Sequence, residues 1–301
     1  MLSIIIVNWN VKPLLERCLF SILKNAQGLD YEIIVIDNAS VDGSREFLSN
    51  FLSQFKSGKP EIKIILNDRN RGFARANNQG FNQSRGEFIL LLNPDTEIYG
   101  DALQKMVTFM RDNKDCGVAG CQLVGIDNKI QLSVRKFPSL GSQVMIFLKL
   151  RYLFPHVKIL RDYFQYDFDY RQLAEVDQVM GAFFMTRREV LDQVGLLDEL
   201  FFLWFEEVDF CKRVKDAGWK VIYNPESRVL HHDSQSFAQL LSFRKQRIYG
   251  RSAIHYFKKH FPYRIYLILP LLYPLSLLLA YFSQIFFRFF PTKYEVVKKR
   301  R

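Results

Sequence analysis

Phe88-Ile-Leu-Leu-Leu-Asn-Pro-Asp-Thr-Glu97 is the stretch of this chain that decides the fold. Its apolar run predicts a central strand of a parallel sheet, because such strands are buried on both faces. Parallel sheets of α/β proteins bind nucleotides at the carboxyl ends of their strands. Asp95 stands at such an end, and a carboxylate on a turn suits Mg²⁺ or Mn²⁺ held together with substrate phosphates. Taken alone, Asn93-Pro94-Asp95 is equally explained as a turn that ends the strand.

Strands and helices alternate on both sides of this stretch. Apolar runs predict strands at Ser3 to Val7, Ile33 to Ile36, Ile62 to Leu66 and Val118 to Val124, with helical periodicity between them. Such alternation is typical of βαβ units, so we predict an α/β, Rossmann-like fold with a mostly parallel central sheet and flanking helices.

The second half of the chain is less regular. Val176 to Met185 predicts one more strand, and Thr186 is a candidate helix N-cap. Arg135 to Glu175 is rich in aromatic residues and has weak periodicity. It fits a lid or an acceptor-binding insertion as well as an ordinary excursion packed on the core.

Charge and cysteine usage exclude several classes of protein. The net charge is +11, but residues 243–301 hold 13 Lys and Arg and one acidic residue, whereas the preceding residues hold 29 basic and 30 acidic side chains. The excess therefore belongs to the tail, and we predict no nucleic-acid partner. The four cysteines lack zinc-site or C-x-x-C spacing, so Cys18 and Cys211 are predicted to be small core residues in a reducing compartment. No charged leader precedes the first strand, so we predict no signal peptide.

Polar residues follow four of the predicted strands. Each group alone is more often a turn or a cap than a ligand site, but four at one sheet edge predict a nucleotide crevice. Asp37 would accept a hydrogen bond from a base or a ribose hydroxyl, and Arg71 is a fork-shaped donor for a base or a phosphate. Neither a G-x-G-x-x-G nor a P-loop motif is present, which argues against a dinucleotide-binding oxidoreductase or a P-loop NTPase. The four groups are Asn8-Trp9-Asn10, Asp37-Asn38-Ala39-Ser40, Asn67 to Gly72, and Asn93-Pro94-Asp95.

A second polar cluster follows the apolar run that begins at Phe201. Glu206, Glu207 and Asp209 open a predicted helix, where acidic residues complement the helix dipole. The apolar run also predicts that at least one of these carboxylates is partly buried, which raises its pKa and suits it to act as a general base. His231 follows a later predicted strand; a lone histidine is more often structural than a ligand.

In this order, the motifs resemble the family-2 inverting glycosyltransferases of the GT-A fold, and in particular a rhamnosyltransferase-like branch that builds bacterial cell-surface polysaccharides. The resemblance runs from Leu2 to about Ser236. The family's metal-binding D-x-D motif appears here as Asn93-x-Asp95, and its Glu-Asp pair as Glu206-Glu207. The remaining matching motifs are Asn8 to Asn10, Asp37 to Ser40, Asn70-Arg71-Gly72, Asn77-Asn78, Gly181-Ala182, Asp198-Glu199 and His231.

The resemblance implies an inverting transfer of a sugar, with rhamnose from dTDP-rhamnose as the first candidate, to a lipid-linked or polysaccharide acceptor. Glu207 would be the catalytic base, with Asp209 next and Glu206 beside it, and Asp95 and His231 would hold Mg²⁺ or Mn²⁺. A nucleotidyltransferase acting on a sugar phosphate and a non-catalytic membrane-associated scaffold remain alternatives. The nucleotide sugar would be bound by Asn8, Asp37, Asn70, Arg71, Gly72, Asn78, Asn93 and Asp95, and the sugar or acceptor by Gly181, Ala182, Asp198 and Glu199.

The C-terminal tail predicts a membrane anchor. Ile265 to Phe287 is an uncharged run of 23 residues with basic residues on both flanks, long enough to span a bilayer. Positive charge on both sides and two prolines favour an embedded or re-entrant segment over a simple span, while a buried core helix is the alternative. We expect a glycosyltransferase domain over 1–242, with a donor half to about 125 and an acceptor half from 126, and an anchor over 243–301. The anchor would hold the protein at the cytoplasmic face of the bacterial inner membrane.

Overall fold

The structure is a computed structural model that describes residues 1–53, 60–232 and 242–289. The chain divides into two compact units. The first comprises Met1–Phe137 and Phe164–Ser236, and the second comprises Pro138–Tyr163 and Phe237–Arg301. Part of the aromatic-rich insertion, Arg135 to Glu175, thus belongs to the same unit as the C-terminal segment, whereas the sequence predicted it within a domain over 1–242. The functional boundaries, including the donor and acceptor halves, stay predictions.

The strands and helices alternate as the sequence predicts through the first half of the chain. In chain order the elements are β1 (Leu2–Asn8), α1 (Lys12–Asn25), β2 (Tyr31–Asp37), α2 (Ser44–Ser53), β3 (Glu61–Leu66), α3 (Phe73–Gln83), β4 (Phe88–Leu92), β5 (Thr96–Ile98), α4 (Ala102–Asp112), β6 (Cys116–Val124), β7 (Val134–Arg135), α5 (Leu140–Phe147), a 3₁₀ turn (Leu150–Tyr152), α6 (Lys158–Phe164), β8 (Ala174–Glu175), β9 (Gln178–Val179), β10 (Phe183–Arg187), α7 (Arg188–Val194), α8 (Glu206–Asp216), β11 (Lys220–His231), α9 (Ser242–His260), α10 (Tyr263–Tyr266) and α11 (Ile268–Phe289).

Nine strands of the described chain form one sheet in the order β3-β2-β1-β4-β10-β6-β11-β5, with β8 beside β11. The strands from β3 to β4 are parallel, as are β6 and β11, whereas β10 runs antiparallel to both of its neighbours. This mostly parallel α/β sheet is the one predicted. The register pairs Asn8 with Asp37 and Asp37 with Leu66, so β1, β2 and β3 end at one level.

The core of the first unit lies on both faces of this sheet. Every residue of β4 is buried, because helices cover the strand on both sides. On α1, Leu15, Leu19 and Ile22 recur at helical spacing and are fully buried, and each such side chain contributes about 1.5–3 kcal/mol to folding. All four cysteines are buried and free, which confirms the prediction of Cys18 and Cys211 as core residues.

The predicted strand over Val176 to Met185 is wrong in its extent. The chain forms β9, which pairs with β7 in a separate two-stranded sheet, and enters the main sheet only at Phe183. A side chain at Gly120 of β6 would collide with Val179, whose own side chain covers the main sheet there. Thr186 is not an N-cap either, because its hydroxyl donates to the carbonyl of Gly117 at 2.9 Å within the sheet.

The second unit contains the basic helix and the apolar helix. The sequence also predicts a long basic helix over Gln235 to His260. In the structure this helix, α9, begins at Ser242, and Gln235 to Leu241 lie outside the described residues. Helix α9 packs on α11: Gly250 faces the ring of Tyr273, whose hydroxyl donates to the carbonyl of Arg247 at 3.1 Å.

One stretch of the described residues, Tyr263–Ser283, is long and apolar enough to cross a membrane, by length and composition alone. Only 17% of its most apolar window is buried within the protein. That exposure argues against the core-helix alternative, since core helices are covered on most of their surface.

Candidate active site

The ends of β1 and β2 are joined through Asp37. Its carboxylate accepts hydrogen bonds from the Asn8 amide at 2.9 Å and from the backbone N–H of Ser40 at 3.0 Å. The guanidinium of Arg45 lies 3.3 Å from the same carboxylate. Asn8 and Asp37 have no exposed surface. In this structure they fix the two loops that leave the sheet; their predicted contact with a nucleoside stays a prediction.

Asn38 joins the end of β2 to the loop that follows β3. Its amide donates to Asn70 at 3.0 Å, and its carbonyl oxygen accepts from the backbone N–H of Arg71 at 3.0 Å. The Asn70 side chain also accepts from the N–H of Gly72 at 2.9 Å. The guanidinium of Arg71 is partly exposed and pairs with Asp68 at 3.1 Å, and its predicted contact with a base or a phosphate stays a prediction.

Gly72 allows a second loop to approach the start of α3. Its φ angle is +86°, and a Cβ atom there would lie 2.6 Å from the carbonyl oxygen of Phe202. That carbonyl accepts a hydrogen bond from the N–H of Phe73 at 2.7 Å. Glycine is therefore required both by the backbone conformation and by the close contact.

Asn78 holds the same loop from the next turn of α3. Its amide donates to the carbonyl of Leu197 at 2.8 Å and its oxygen accepts from the N–H of Leu197 at 3.1 Å. Glu199 pairs with Arg75 at 2.8 Å, and Asp198 accepts from the N–H of Leu200 at 3.0 Å. The predicted binding residues Asn78, Asp198 and Glu199 thus make loop contacts here, and their predicted roles toward ligand remain untested.

The structure brings Asp95 and His231 together. The Oδ1 atom of Asp95 lies 3.5 Å from Nε2 of His231, and both side chains are buried. The pairing of β5 with β11 produces this contact, since it sets His231 opposite Thr96. Ala182 lies at the same strand end, because its carbonyl accepts from the N–H of Asn93 at 3.0 Å.

Gln131 fixes the orientation of His231 and was not predicted from the sequence. Its amide nitrogen donates to the backbone carbonyl of His231 at 2.9 Å, so its oxygen is the atom that lies 2.7 Å from Nδ1 of the ring. An amide oxygen can only accept, so Nδ1 carries the proton. In a neutral imidazole this leaves the lone pair of Nε2 directed toward Asp95.

The beginning of α8 carries the acidic cluster in an unusual backbone setting. Trp204 and Phe205 have φ angles of +63° and +72°, a conformation that L-residues rarely adopt. Glu206 is buried and Glu207 half-buried, and each keeps a buried Oε2 atom with no hydrogen-bond partner among the described residues. Strained backbone and unsatisfied buried carboxylates together are typical of functional sites.

The pKa values of both glutamates are raised. Burial raises the pKa of Glu206 well above its ordinary value, and the Glu207 carboxylate raises it further. Burial also raises the pKa of Glu207, although the N–H groups at the helix start and the charge of Arg135 oppose this effect. Arg135 is a second residue that no motif indicated. It belongs to β7, a strand of only two residues, and its charge acts on Glu207 in the folded protein.

Asp209 has a different environment from the two glutamates. It is fully buried and accepts a hydrogen bond from Arg213 at 2.9 Å, one helical turn away. Arg213 also donates to the carbonyls of Val194 and Leu196. This ion pair ties α8 to the loop after α7, which is a structural role.

No group of three or more His, Cys, Asp or Glu side chains within residues 1–53, 60–232 and 242–289 is arranged to hold a metal ion. Asp95 and His231 therefore offer two protein ligands. Mg²⁺ and similar ions are commonly held by one or two carboxylates together with substrate phosphates and water, so this pair fits a site that is completed by a phosphorylated substrate.

Most of the chain is similar to known proteins. The family model "Glycosyl transferase family 2" matches residues 3–195. An N-acetylglucosaminyl-diphospho-decaprenol L-rhamnosyltransferase of Mycobacterium tuberculosis is 26% identical over 246 residues, which cover 78% of this chain and 77% of that protein. The rhamnosyltransferase WbbL of Escherichia coli is 25% identical over 250 residues, which cover 79% of this chain and 86% of that protein.

An uncharacterized protein of Sinorhizobium fredii, y4gI, is 26% identical over 238 residues; the match covers 78% of this chain, which spans about a quarter (25%) of that protein's length. Among solved structures, a mannosyltransferase of Pyrobaculum calidifontis in complex with GDP-Man and Mn²⁺ has a TM-score of 0.58 at 14% identity, covering 99% of this chain and 78% of that one. At this identity the similarity shows the fold alone, and it confirms the predicted GT-A-type class.

Proposed function

The chain belongs to glycosyl transferase family 2, and from this premise we propose that it moves a sugar from a nucleoside diphosphate sugar to an acceptor hydroxyl with inversion at the anomeric carbon. The observation that carries the proposal is the Glu207 carboxylate at the start of α8. It has a raised pKa and a buried oxygen without a hydrogen-bond partner among the described residues. Such a group is suited to accept a proton near neutral pH.

Inversion requires that the acceptor oxygen attacks the anomeric carbon from the face opposite the leaving diphosphate. The acceptor hydroxyl loses its proton to Glu207 as the new bond forms, and the bond to the diphosphate breaks. Asp209 is the weaker candidate for this role because Arg213 already neutralises it. Glu206 is the more buried neighbour, and burial together with the charge of Glu207 raises its own pKa well above the ordinary value.

The leaving diphosphate needs positive charge, and the Asp95–His231 pair fits a divalent cation that would supply it as a Lewis acid. The directed lone pair of His231 and the Asp95 carboxylate are the donor types that Mn²⁺ and Mg²⁺ accept. The solved relative that contains GDP-Man and Mn²⁺ supports a divalent metal. Asn8, Asp37, Asn70, Arg71, Gly72, Asn78 and Asn93 would form the nucleotide-sugar side, and Gly181, Ala182, Asp198 and Glu199 the sugar or acceptor side.

Rhamnose from dTDP-rhamnose is the proposed donor sugar, and a lipid-linked saccharide the proposed acceptor. Two relatives of about 25% identity, named as rhamnosyltransferases, support the sugar, and the decaprenol-linked substrate in the name of one supports the acceptor. The apolar stretch Tyr263–Ser283 supports attachment to a membrane. We place the reaction at the cytoplasmic face of the bacterial inner membrane, in the synthesis of cell-surface polysaccharide.

The test is a donor panel of labelled dTDP-rhamnose, UDP-sugars and GDP-sugars, incubated with the full-length protein and a polyprenyl diphosphate saccharide. Release of dTDP from dTDP-rhamnose, with label in the lipid fraction, is the expected result. Release of pyrophosphate would instead support the nucleotidyltransferase alternative, and no turnover of any donor would support the scaffold. Turnover of a different nucleotide sugar would support the proposed reaction and would replace dTDP-rhamnose as its donor.

The metal is tested separately from the donor. EDTA should abolish transfer, and added Mg²⁺ or Mn²⁺ should restore it. Full activity in EDTA would contradict the metal and assign the charge on the diphosphate to Lys and Arg side chains.

A further inference from the structure

The segment from Lys149 to Phe154 exposes an unusual run of large apolar side chains. Tyr152 is 65% exposed, Leu153 72% and Phe154 54%. Single exposed apolar residues are common on protein surfaces, but three in succession form a contiguous patch of the kind that marks an interaction surface. This segment belongs to the second unit, together with the apolar helix α11.

The backbone N–H groups of the three apolar residues are already hydrogen-bonded. The N–H groups of Tyr152, Leu153 and Phe154 donate to the carbonyls of Lys149 and Leu150 at 2.8–3.1 Å, within the 3₁₀ turn. Lys149 begins the turn with a φ angle of +57°. A turn that bonds its own N–H groups presents its side chains to an apolar medium without also exposing unpaired backbone donors.

Positive charge surrounds the apolar run. Arg151 lies over the ring of Tyr152 at 4.7 Å and donates to its hydroxyl at 2.7 Å. Partial burial raises the pKa of that hydroxyl, but the charges of Arg151, Lys149 and Lys245 outweigh it and lower the pKa. Lys245 belongs to α9, so a charge of the basic helix acts on the same hydroxyl as the two basic residues of the turn. Aromatic residues flanked by Lys and Arg are typical of the boundary between lipid headgroups and acyl chains.

Contacts within the second unit connect this insertion to the C-terminal helices. The hydroxyl of Tyr249 on α9 donates to Gln143 on α5 at 2.6 Å, and its ring lies 6.2 Å from that of Phe147. Helix α9 in turn bonds α11 through Gln246 and Ser276 at 2.7 Å. The exposed turn is therefore part of the same packed unit as the candidate membrane helix.

We propose that Tyr152, Leu153 and Phe154 form a second membrane-contacting element, which inserts into the headgroup boundary of an anionic lipid bilayer. The apolar side chains enter the boundary, and Lys149, Arg151 and Lys245 meet the lipid phosphates. The inference shares with the proposed function only the location at a membrane. It assigns part of the aromatic-rich insertion to lipid, where the sequence left a lid, an acceptor-binding insertion and a packed excursion open.

The experiment uses full-length protein with Phe154→Trp and, as a matched control, Phe20→Trp. Phe20 is also 54% exposed, but it lies on α1 between Arg17 and Lys24. Each variant is added to vesicles of phosphatidylglycerol and phosphatidylcholine with or without brominated acyl chains, and the tryptophan emission of the wild-type protein is subtracted. We expect the emission of Trp at 154 to shift to shorter wavelength and to lose most of its intensity to the brominated lipid. The emission of Trp at 20 should keep its intensity.

Equal emission of Trp at 154 with brominated and with ordinary lipid would overturn the proposal. A wavelength shift that depends on protein concentration and not on vesicles would also overturn it, because it would indicate that a second copy of the chain covers this surface. Tyr152→Trp provides an independent probe, and it should be quenched in the same way. The measurement requires no sugar transfer, so its failure leaves the proposed reaction standing, and a failed donor panel leaves this inference standing.

Discussion

The ends of β1 and β2 and the beginning of α8 both contain buried carboxylates, but their surroundings differ. Asp37 accepts hydrogen bonds from Asn8 and Ser40 and lies beside Arg45. Glu206 and Glu207 each retain a buried oxygen with no hydrogen-bond partner among the described residues. A bonded buried carboxylate stabilises the fold, whereas an unsatisfied polar group costs about 1–3 kcal/mol or more.

This difference shows which observation distinguishes a reactive group from a structural one. Burial alone does not, since Asp37, Asp209 and Glu206 are all buried. The absence of a hydrogen-bond partner does distinguish a reactive group, because a carboxylate oxygen without a partner in a partly buried site is available to a substrate hydroxyl. The predictions below change one carboxylate, or one orienting group, at a time.

The largest effect is expected for Glu207→Gln. Gln keeps the shape of the side chain but cannot accept the proton, so turnover should fall by roughly 10²–10⁴ while donor binding and the unfolding midpoint remain close to those of the wild-type protein. Single-turnover transfer and nucleotide-sugar binding are the two measurements. Near-normal transfer by Glu207→Gln, together with its loss in Asp209→Asn, would show that Asp209 is the base.

Asp209→Asn should reduce the stability of the protein rather than the rate of the chemical step. The substitution leaves the mostly buried Arg213 without its counter-charge, and breaking such a pair typically costs about 3–5 kcal/mol. Urea unfolding of Asp209→Asn beside Glu207→Gln makes the comparison, since the two positions lie on the same helix. If Asp209→Asn unfolds at the wild-type urea concentration, the ion pair does not hold the loop as the structure indicates.

The sequence predicted most of the fold because its signals are local. The buried run of β4 and the periodic apolar face of α1 determine the element type within a few residues. The break between Val179 and Phe183 was missed because the contact of Val179 with Gly120 joins residues that are far apart in the chain. Apolar composition is the same for a continuous strand and for one that leaves the sheet.

The residues of the candidate site also divide into those that the sequence predicted and those that it did not. Asp95, Glu206 and Glu207 stand at the ends of predicted elements, so their positions were visible in the sequence. Gln131 and Arg135 were not, because each acts on a residue that is brought near only by folding: Gln131 contacts His231 across 100 positions of the chain. A lone Gln in a loop carries no local signal.

Gln131→Leu should weaken metal binding without removing a metal ligand. Leu has similar size but cannot accept from Nδ1 of His231, so the ring loses the bond that directs Nε2 toward Asp95. Loss of such an orienting partner typically weakens metal affinity by roughly 10–100-fold. Titration of Mn²⁺ in the presence of a nucleoside diphosphate measures the affinity directly. Gln131→Glu, which restores an acceptor, should recover part of it, and unchanged affinity in Gln131→Leu would exclude the orienting role.

The smallest effect is a pH-dependent change in stability at Glu206. Burial and the charge of Glu207 raise the pKa of Glu206 in the folded protein, so the folded state binds more protons than the unfolded state. The resulting stability is fully present below the unfolded pKa and is lost as the pH rises through the raised folded value. Glu206→Gln cannot ionise, so it escapes this loss.

We therefore expect Glu206→Gln to match the wild-type Tm near pH 4 and to exceed it near pH 8, by about 1 kcal/mol or roughly 2–4 °C for a domain of this size. Thermal unfolding at the two pH values measures the difference, with exposed Glu87→Gln as the control that should not separate from wild type. A Glu206→Gln variant that is less stable at pH 8 would mean that the ionised carboxylate has a partner in the folded protein. Glu206 would then be a bonded carboxylate like Asp37. Of these three carboxylates, Glu207 alone would still lack a hydrogen-bond partner for one oxygen among the described residues.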